Sequence, residues 1–242
     1  MSLSIPENLE KVRQLISLYE VKYGRSDKAV QLIAVSKTHG ADKVKIAYQA
    51  GQKHFGENYL QEALEKIDAL KDLPLHWHFI GPIQSNKTRA IAESFQWVHS
   101  VDRLKIAQRL NDQRPSSLPG LNIMLQVNIS NEDSKAGISV DELEALANAV
   151  ESLPNLVLSG LMAIPAASND ANIQRDNFRR LREARDKLLA QGLDQCQHLS
   201  MGMSNDFEAA IAEGATMIRI GTDIFGPREA RGYSKCVKLP QQ

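Results

Sequence analysis

The residue best placed for chemistry is a lysine at the end of an apolar run. Lys37 follows the run 32–35 after a single serine, so a strand there carries its stem toward the rim of the sheet it joins. A lysine partly withdrawn from water favours its charged form less. A neutral amine attacks an aldehyde, which suits such a lysine to Schiff-base chemistry. Taken alone, the position fits a solvated strand-end lysine better. A second group of residues lies far along the chain, in Ser200-Met201-Gly202-Met203-Ser204-Asn205-Asp206 and Arg219-Ile220-Gly221-Thr222. Ser200 and Ser204 offer hydroxyl donors, and Gly202 and Gly221 let backbone N–H groups approach an anion. Asn205 or Asp206 would begin a helix whose positive end faces that anion. The two segments read either as a phosphate cup or as ordinary turns, in which Gly and Ser are also common. Neither matches a Walker or dinucleotide-binding loop, because no matching glycine pattern lies between the first strand and its helix.

Positioning these residues requires a particular set of elements. Short apolar runs occur at 32–35, 54–56, 75–80, 97–100, 123–127, 156–161, 198–200 and 217–220. Several are near-continuously apolar, as parallel strands covered on both faces should be. Amphipathic stretches lie between them, such as Leu60, Ala63, Leu64, Ile67 and Leu70, or Leu143, Leu146, Ala147, Val150 and Leu153. Ser139 and Glu142 form a capping box before the latter. Gly51 and Gly214 suit the left-handed turn that ends a helix. Ile5, Leu9, Val12 and Ile16 mark an extra helix before the first strand. Eight alternating β and α units in 242 residues predict an α/β fold, a single closed (β/α)8 TIM-type barrel with an N-terminal helix. The expected organisation is one domain over 1–242, with 1–30 as helix and lead-in and 229–242 as a tail. In such a barrel the ligand site lies at the C-terminal strand ends, which is where Lys37 and both loop segments fall.

Lys plus Arg and Asp plus Glu each total 29, so the formal charge is zero. That argues against a nucleic-acid or anionic-membrane partner. The N-terminus lacks a signal-peptide pattern and no apolar run approaches the roughly 20 residues of a membrane span. Two cysteines, Cys196 and Cys236, match no metal spacing and suit a reducing, cytoplasmic setting. The pair His76 and His78 reads as packing or hydrogen bonding ahead of zinc ligation, so no metal is expected. The arginines at 175, 179, 180, 182 and 185 alternate with acids and read as a solvated helix face. Tyr59, Met201 and Met203 read as packing residues.

Six blocks in order carry a resemblance: Ala34-Val35-Ser36-Lys37-Thr38; Phe55-Gly56-Glu57-Asn58-Tyr59-Leu60-Gln61-Glu62; His78-Phe79-Ile80-Gly81 with Gln84-Ser85-Asn86-Lys87; Gly160-Leu161-Met162; Leu199-Ser200-Met201-Gly202-Met203-Ser204-Asn205-Asp206; and Arg219-Ile220-Gly221-Thr222 with Ile224-Phe225-Gly226. Together they resemble the pyridoxal phosphate homeostasis proteins of the YggS/PROSC type. The match departs only peripherally, at His39-Gly40 and Pro82-Ile83. The resemblance implies the fold type III barrel of alanine racemase and pyridoxal 5′-phosphate (PLP) as cofactor, held as a Schiff base on Lys37. It implies Asn58 near the cofactor ring, Met162 lining the pocket and Arg219 facing the pyridine nitrogen. Ser200, Gly221 and Thr222 would hold the phosphate, with Ser204 beside them.

An arginine only donates hydrogen bonds, so it favours an unprotonated pyridine nitrogen and a weak electron sink. A racemase also needs an acid/base on each substrate face, which the alanine racemases draw from a second domain. Only 14 residues follow Arg228. The expectation is therefore a PLP-binding protein of intracellular vitamin B6 homeostasis, without robust catalysis and monomeric. Amino acids or PLP-dependent apo-enzymes are its candidate partners besides PLP. The alternatives are a small racemase-like PLP enzyme and a phosphate-binding barrel isomerase without PLP.

Overall fold

The computed structural model describes residues 3–130, 132 and 136–227. The expected tail at 229–242, with Cys236, lies outside them. Helix α1 (Ile5–Lys22) precedes strand β1 (Gln31–Val35). The chain then alternates through α2 (Ala41–Gln49), β2 (His54–Glu57), α3 (Leu60–Ala69), β3 (His76–Phe79), α4 (Thr88–Ser94), β4 (Trp97–Val101) and α5 (Leu104–Gln113). It continues through β5 (Leu121–Gln126), α6 (Val140–Glu151), β6 (Leu156–Met162), α7 (Ala171–Ala190), β7 (His198–Ser200), α8 (Phe207–Ala212), β8 (Met217–Ile220) and α9 (Thr222–Phe225). All strand pairs are parallel and run in sequence order. β8 returns to β1, pairing Ile33 with Arg219 and Ala34 with Ile220, which closes the barrel.

The expected barrel is thus present, and each predicted strand overlaps an observed one. The differences are at the ends: β5 begins at Leu121 and β3 stops at Phe79. The capping box at Ser139 and Glu142 forms, with the Glu142 N–H donating to Ser139 Oγ and the Ser139 N–H donating to Glu142 Oε2. Ser4 and Glu7 cap α1 in the same way. Gly51 and Gly214 have φ of +85° and +96°, the left-handed geometry that glycine adopts without strain. No helix among the described residues is long and apolar enough to cross a membrane.

Side chains alternate across each strand, so two cores form. The larger lies between barrel and helices and includes Leu32, Ala34, Phe55, Phe79, Val98, Leu125, Phe178 and Ile218. The smaller is inside the barrel, where Ile33, Met124, Met162 and Met217 pack together against Trp97. The rest of that interior is polar, because His78, His99, Ser200 and Arg219 are also buried.

Candidate functional site

A cavity of about 410 Å³ opens at the C-terminal strand ends. Its wall includes Lys37, Asn58, Ser204, Arg219, Gly221 and Thr222, along with Val35, Ile80, Ile164, Met203 and Asp206. Six residues spread from Lys37 to Thr222 therefore meet at one cavity. The volume and the mixed apolar and polar wall suit a small ligand.

Local geometry explains how each arrives. Lys37 sits in the turn after β1 and is half-buried. The next residue, Thr38, has φ of +68°, an unfavourable conformation for a β-branched side chain. The Glu62 carboxylate on α3 holds the turn by accepting the Thr38 N–H at 3.0 Å. Asn58 follows β2, and its carbonyl lies so close to Gly81 that any Cβ there would overlap it. The Asn58 side-chain oxygen is buried with no hydrogen-bond partner among the described residues. On the opposite wall, Gly202 has φ of +94°, and a Cβ there would meet the Ala210 methyl at 2.6 Å. Asp206 shapes that loop by accepting the Met203 N–H at 2.6 Å. Asp206 begins α8 as expected, and Gly221 precedes α9.

Arg219 points up from β8 and is buried. Its Nη1 donates to Ser200 Oγ at 2.6 Å and its Nη2 to the Ala163 carbonyl at 3.0 Å. Burial lowers its guanidinium to about 10, against the opposing charge of Asp206, so it stays a cation at neutral pH. Burial likewise raises the Asp206 carboxyl, with the Met203 N–H and Arg219 opposing.

Two named residues do not reach the cavity wall. Ser200 is fully buried, with its hydroxyl taken by Arg219 and by His99 Nδ1 at 2.8 Å. Met162 is fully buried in the interior cluster. Both end strands whose last inward side chain lies below the rim.

Sequence reasoning missed a buried ion pair beside the site. Glu57 Oε1 accepts from Lys66 Nζ and from Ser36 Oγ, each at 2.6 Å, and Lys66 also donates to the Ser36 carbonyl. Burial raises the Glu57 carboxyl above the usual carboxylate range in spite of Lys66. Both side chains lie under α3, nine positions apart in sequence. The available signal was an acid at an apolar strand end followed by a lysine on the buried stripe of the next helix. Also missed was the role of His99, which touches both His78 and Ser200.

His78 is hydrogen-bonded, to His54 and His99, while His76 is exposed and stacks on His54. Arg175 and Arg182 pair with Glu213, and Arg179 pairs with Asp176, so α7 presents neutralised cations. Tyr59 is exposed, Met201 is buried and Met203 borders the cavity. Among the described residues, no group of three or more His, Cys, Asp or Glu side chains is placed to hold a metal.

The family described as alanine racemase, N-terminal domain, matches residues 8–229. The pyridoxal phosphate homeostasis protein of Pseudomonas aeruginosa is 59% identical over 226 residues, which cover 93% of this chain and 96% of that protein. The structure of PipY from Synechococcus elongatus, with PLP bound, has a TM-score of 0.81 at 38% identity, covering 92% of this chain and 100% of that one. Alanine racemase from Corynebacterium glutamicum shares the fold, with a TM-score of 0.68 at 16% identity over 94% of this chain and 62% of that one. With its barrel, its rim cavity and this degree of identity, the chain belongs to the pyridoxal phosphate homeostasis protein family.

Proposed function

We propose that this protein binds PLP in the rim cavity, holds it as a Schiff base on Lys37, and serves PLP homeostasis as a reservoir or carrier without robust catalysis. The observation that carries this reading is the meeting of Lys37, Asn58, Ser204, Arg219, Gly221 and Thr222 on one wall. PLP supplies an aldehyde that condenses reversibly with an amine and releases water. The residues present fit it. The buried, unpartnered Asn58 oxygen asks for a polar ligand atom, and Val35 and Ile80 offer apolar surface for a ring. Ser204, Gly221 and Thr222 would hold the phosphate with hydroxyl and backbone donors.

Arg219 faces the ring nitrogen in this reading. As a donor only, it leaves that nitrogen unprotonated and so weakens carbanion stabilisation. That supports storage over turnover. Ser200 serves the site through Arg219 instead of touching phosphate, and Met162 supports its floor. The same proposal takes residues 1–242 as one cytoplasmic, monomeric unit, with amino acids or apo-enzymes as the agents that draw PLP away.

Borohydride reduction of the PLP-loaded protein followed by peptide mass spectrometry tests the linkage. Label is expected on Lys37 and none in Lys37→Ala. Label elsewhere, or a protein that stays colourless with PLP, would overturn the reading. The racemase-like alternative predicts rapid deuterium exchange at Cα of an amino acid, and such exchange with turnover would replace storage with catalysis.

A further inference from the structure

A line of hydrogen bonds crosses the barrel beneath the cavity. Arg219 Nη1 donates to Ser200 Oγ at 2.6 Å, and Ser200 Oγ lies 2.8 Å from His99 Nδ1. His99 Nε2 lies 2.9 Å from His78 Nδ1, and His78 Nε2 lies 3.0 Å from His54 Nδ1. β4 and β7 are not sheet neighbours, so the bond from His99 to Ser200 spans the barrel interior. His99, His78 and Ser200 are buried, whereas His54 is half-buried and borders a second cavity with His198 and Trp97.

Donor accounting gives this line one direction. Arg219 can only donate, so Ser200 Oγ accepts from it. Among the described residues, His99 Nδ1 is the one acceptor left for the Ser200 hydroxyl proton. His99 then carries its proton on Nε2 and donates to His78, which donates to His54 in turn. The opposite direction leaves a buried hydroxyl proton without an acceptor, a costly arrangement. Electrostatics selects the same direction, because each imidazole then turns its lone pair toward the Arg219 cation. Burial keeps His78 and His99 neutral, with the neighbouring charges acting the same way.

We propose that His99, backed by His78 and His54, is a positioning residue for Arg219, acting through Ser200 to hold the guanidinium in place beneath the cofactor ring. The role in PLP binding rests on the reading given under Proposed function, whereas the direction of the chain does not. Neither the motif blocks nor the cavity wall includes His99, which lies on β4, four strands round the barrel from Arg219 on β8.

Two measurements test it. Imidazole ¹⁵N NMR of the cofactor-free protein, between about pH 5 and 9, is expected to show His78 and His99 neutral with the proton on Nε2. A His99 proton on Nδ1, or a charged His99 in that range, overturns the chain. PLP titrations of His99→Phe and His99→Asn then test the consequence. The first variant is expected to bind PLP about tenfold more weakly and to shift the pH at which the bound cofactor's visible band changes. The second retains an oxygen that accepts the Ser200 hydroxyl and is expected to stay within about threefold of the parent. If the parent protein binds PLP and both folded variants match it in affinity and band pH, positioning by His99 is wrong while PLP binding stands. If the parent binds no PLP, the functional reading fails and the NMR result still decides the chain.

Discussion

Single side chains at this site are decided by what surrounds them. Glu57 and Lys66 illustrate this most sharply, because both are buried and each is the other's charge partner. Removing one member of such a pair leaves an uncompensated buried charge, which costs about 3–5 kcal/mol. Lys66→Met is therefore expected to lower the denaturation free energy by that amount. The double variant with Glu57→Gln should recover part of the loss, because the charge that needed Lys66 is gone. Urea melts of both variants check this, and a single variant as stable as the parent would show the pair to be unimportant. Lys37 taken alone read as an ordinary strand-end lysine, and only the surrounding rim residues and motif blocks singled it out. Ser200 was expected at the phosphate, whereas folding brings Arg219 and His99 onto its hydroxyl.

At the scale of elements, strand identity was read from composition. Runs such as Leu32-Ile33-Ala34-Val35 are apolar throughout because helices cover one face and the barrel interior the other. Strand ends were less legible, since the last rung depends on a neighbour's register. β6 and β7 show how tight that register is: Gly160 pairs with His198, and a Cβ on Gly160 would overlap the His198 carbonyl oxygen. Gly160→Ala must push the two strands apart, and overpacking of this kind costs about 1–3 kcal/mol. The expected result is a lower melting temperature and weaker ligand binding, because β7 leads straight into the loop at 201–206. A variant that melts with the parent would mean that the strands yield without cost. The same logic explains Gly202, whose left-handed backbone and contact with Ala210 exclude other side chains.

The whole molecule carries its histidines in an unusual way. Burial lowers His54 to about 4 and also lowers His78, His99 and His198. The unfolded chain takes up these protons near pH 6.5, roughly the ordinary imidazole value, while the folded chain refuses them. Stability from these groups is thus complete above that pH and is lost as pH falls toward the folded values. Burial raises Glu57 and Asp206, and raised carboxyls act in the opposite sense, adding stability as pH falls. Four imidazoles outnumber two carboxyls, so net stability is expected to fall between about pH 7 and 5. The slope is at most about 1.4 kcal/mol per pH unit for each additional proton bound by the unfolded chain. Urea midpoints across that range measure it, and a flat or rising stability on acidification would contradict the assignment of buried neutral imidazoles.

The sequence by itself determined the architecture and where on it a rim site would be sought. Alternating apolar runs and amphipathic stretches leave few arrangements other than a closed parallel barrel, and a barrel gathers all strand ends at one rim. Lys37, Asn58, Ser204, Gly221 and Thr222 follow strands and Arg219 is next to the last residue of β8, so topology alone brings them to one rim. What only the tertiary structure decided were the contacts that cross the barrel or pass beneath a helix. The His99 bond to Ser200 joins residues 101 positions apart, on strands that are not neighbours. The Glu57–Lys66 pair forms under α3. Such contacts depend on which way each inward side chain leans and on which polar atoms are left without water. Burial sets both, and local sequence pattern carries at most a hint of either, such as an acid at a strand end ahead of a lysine on a buried helix stripe.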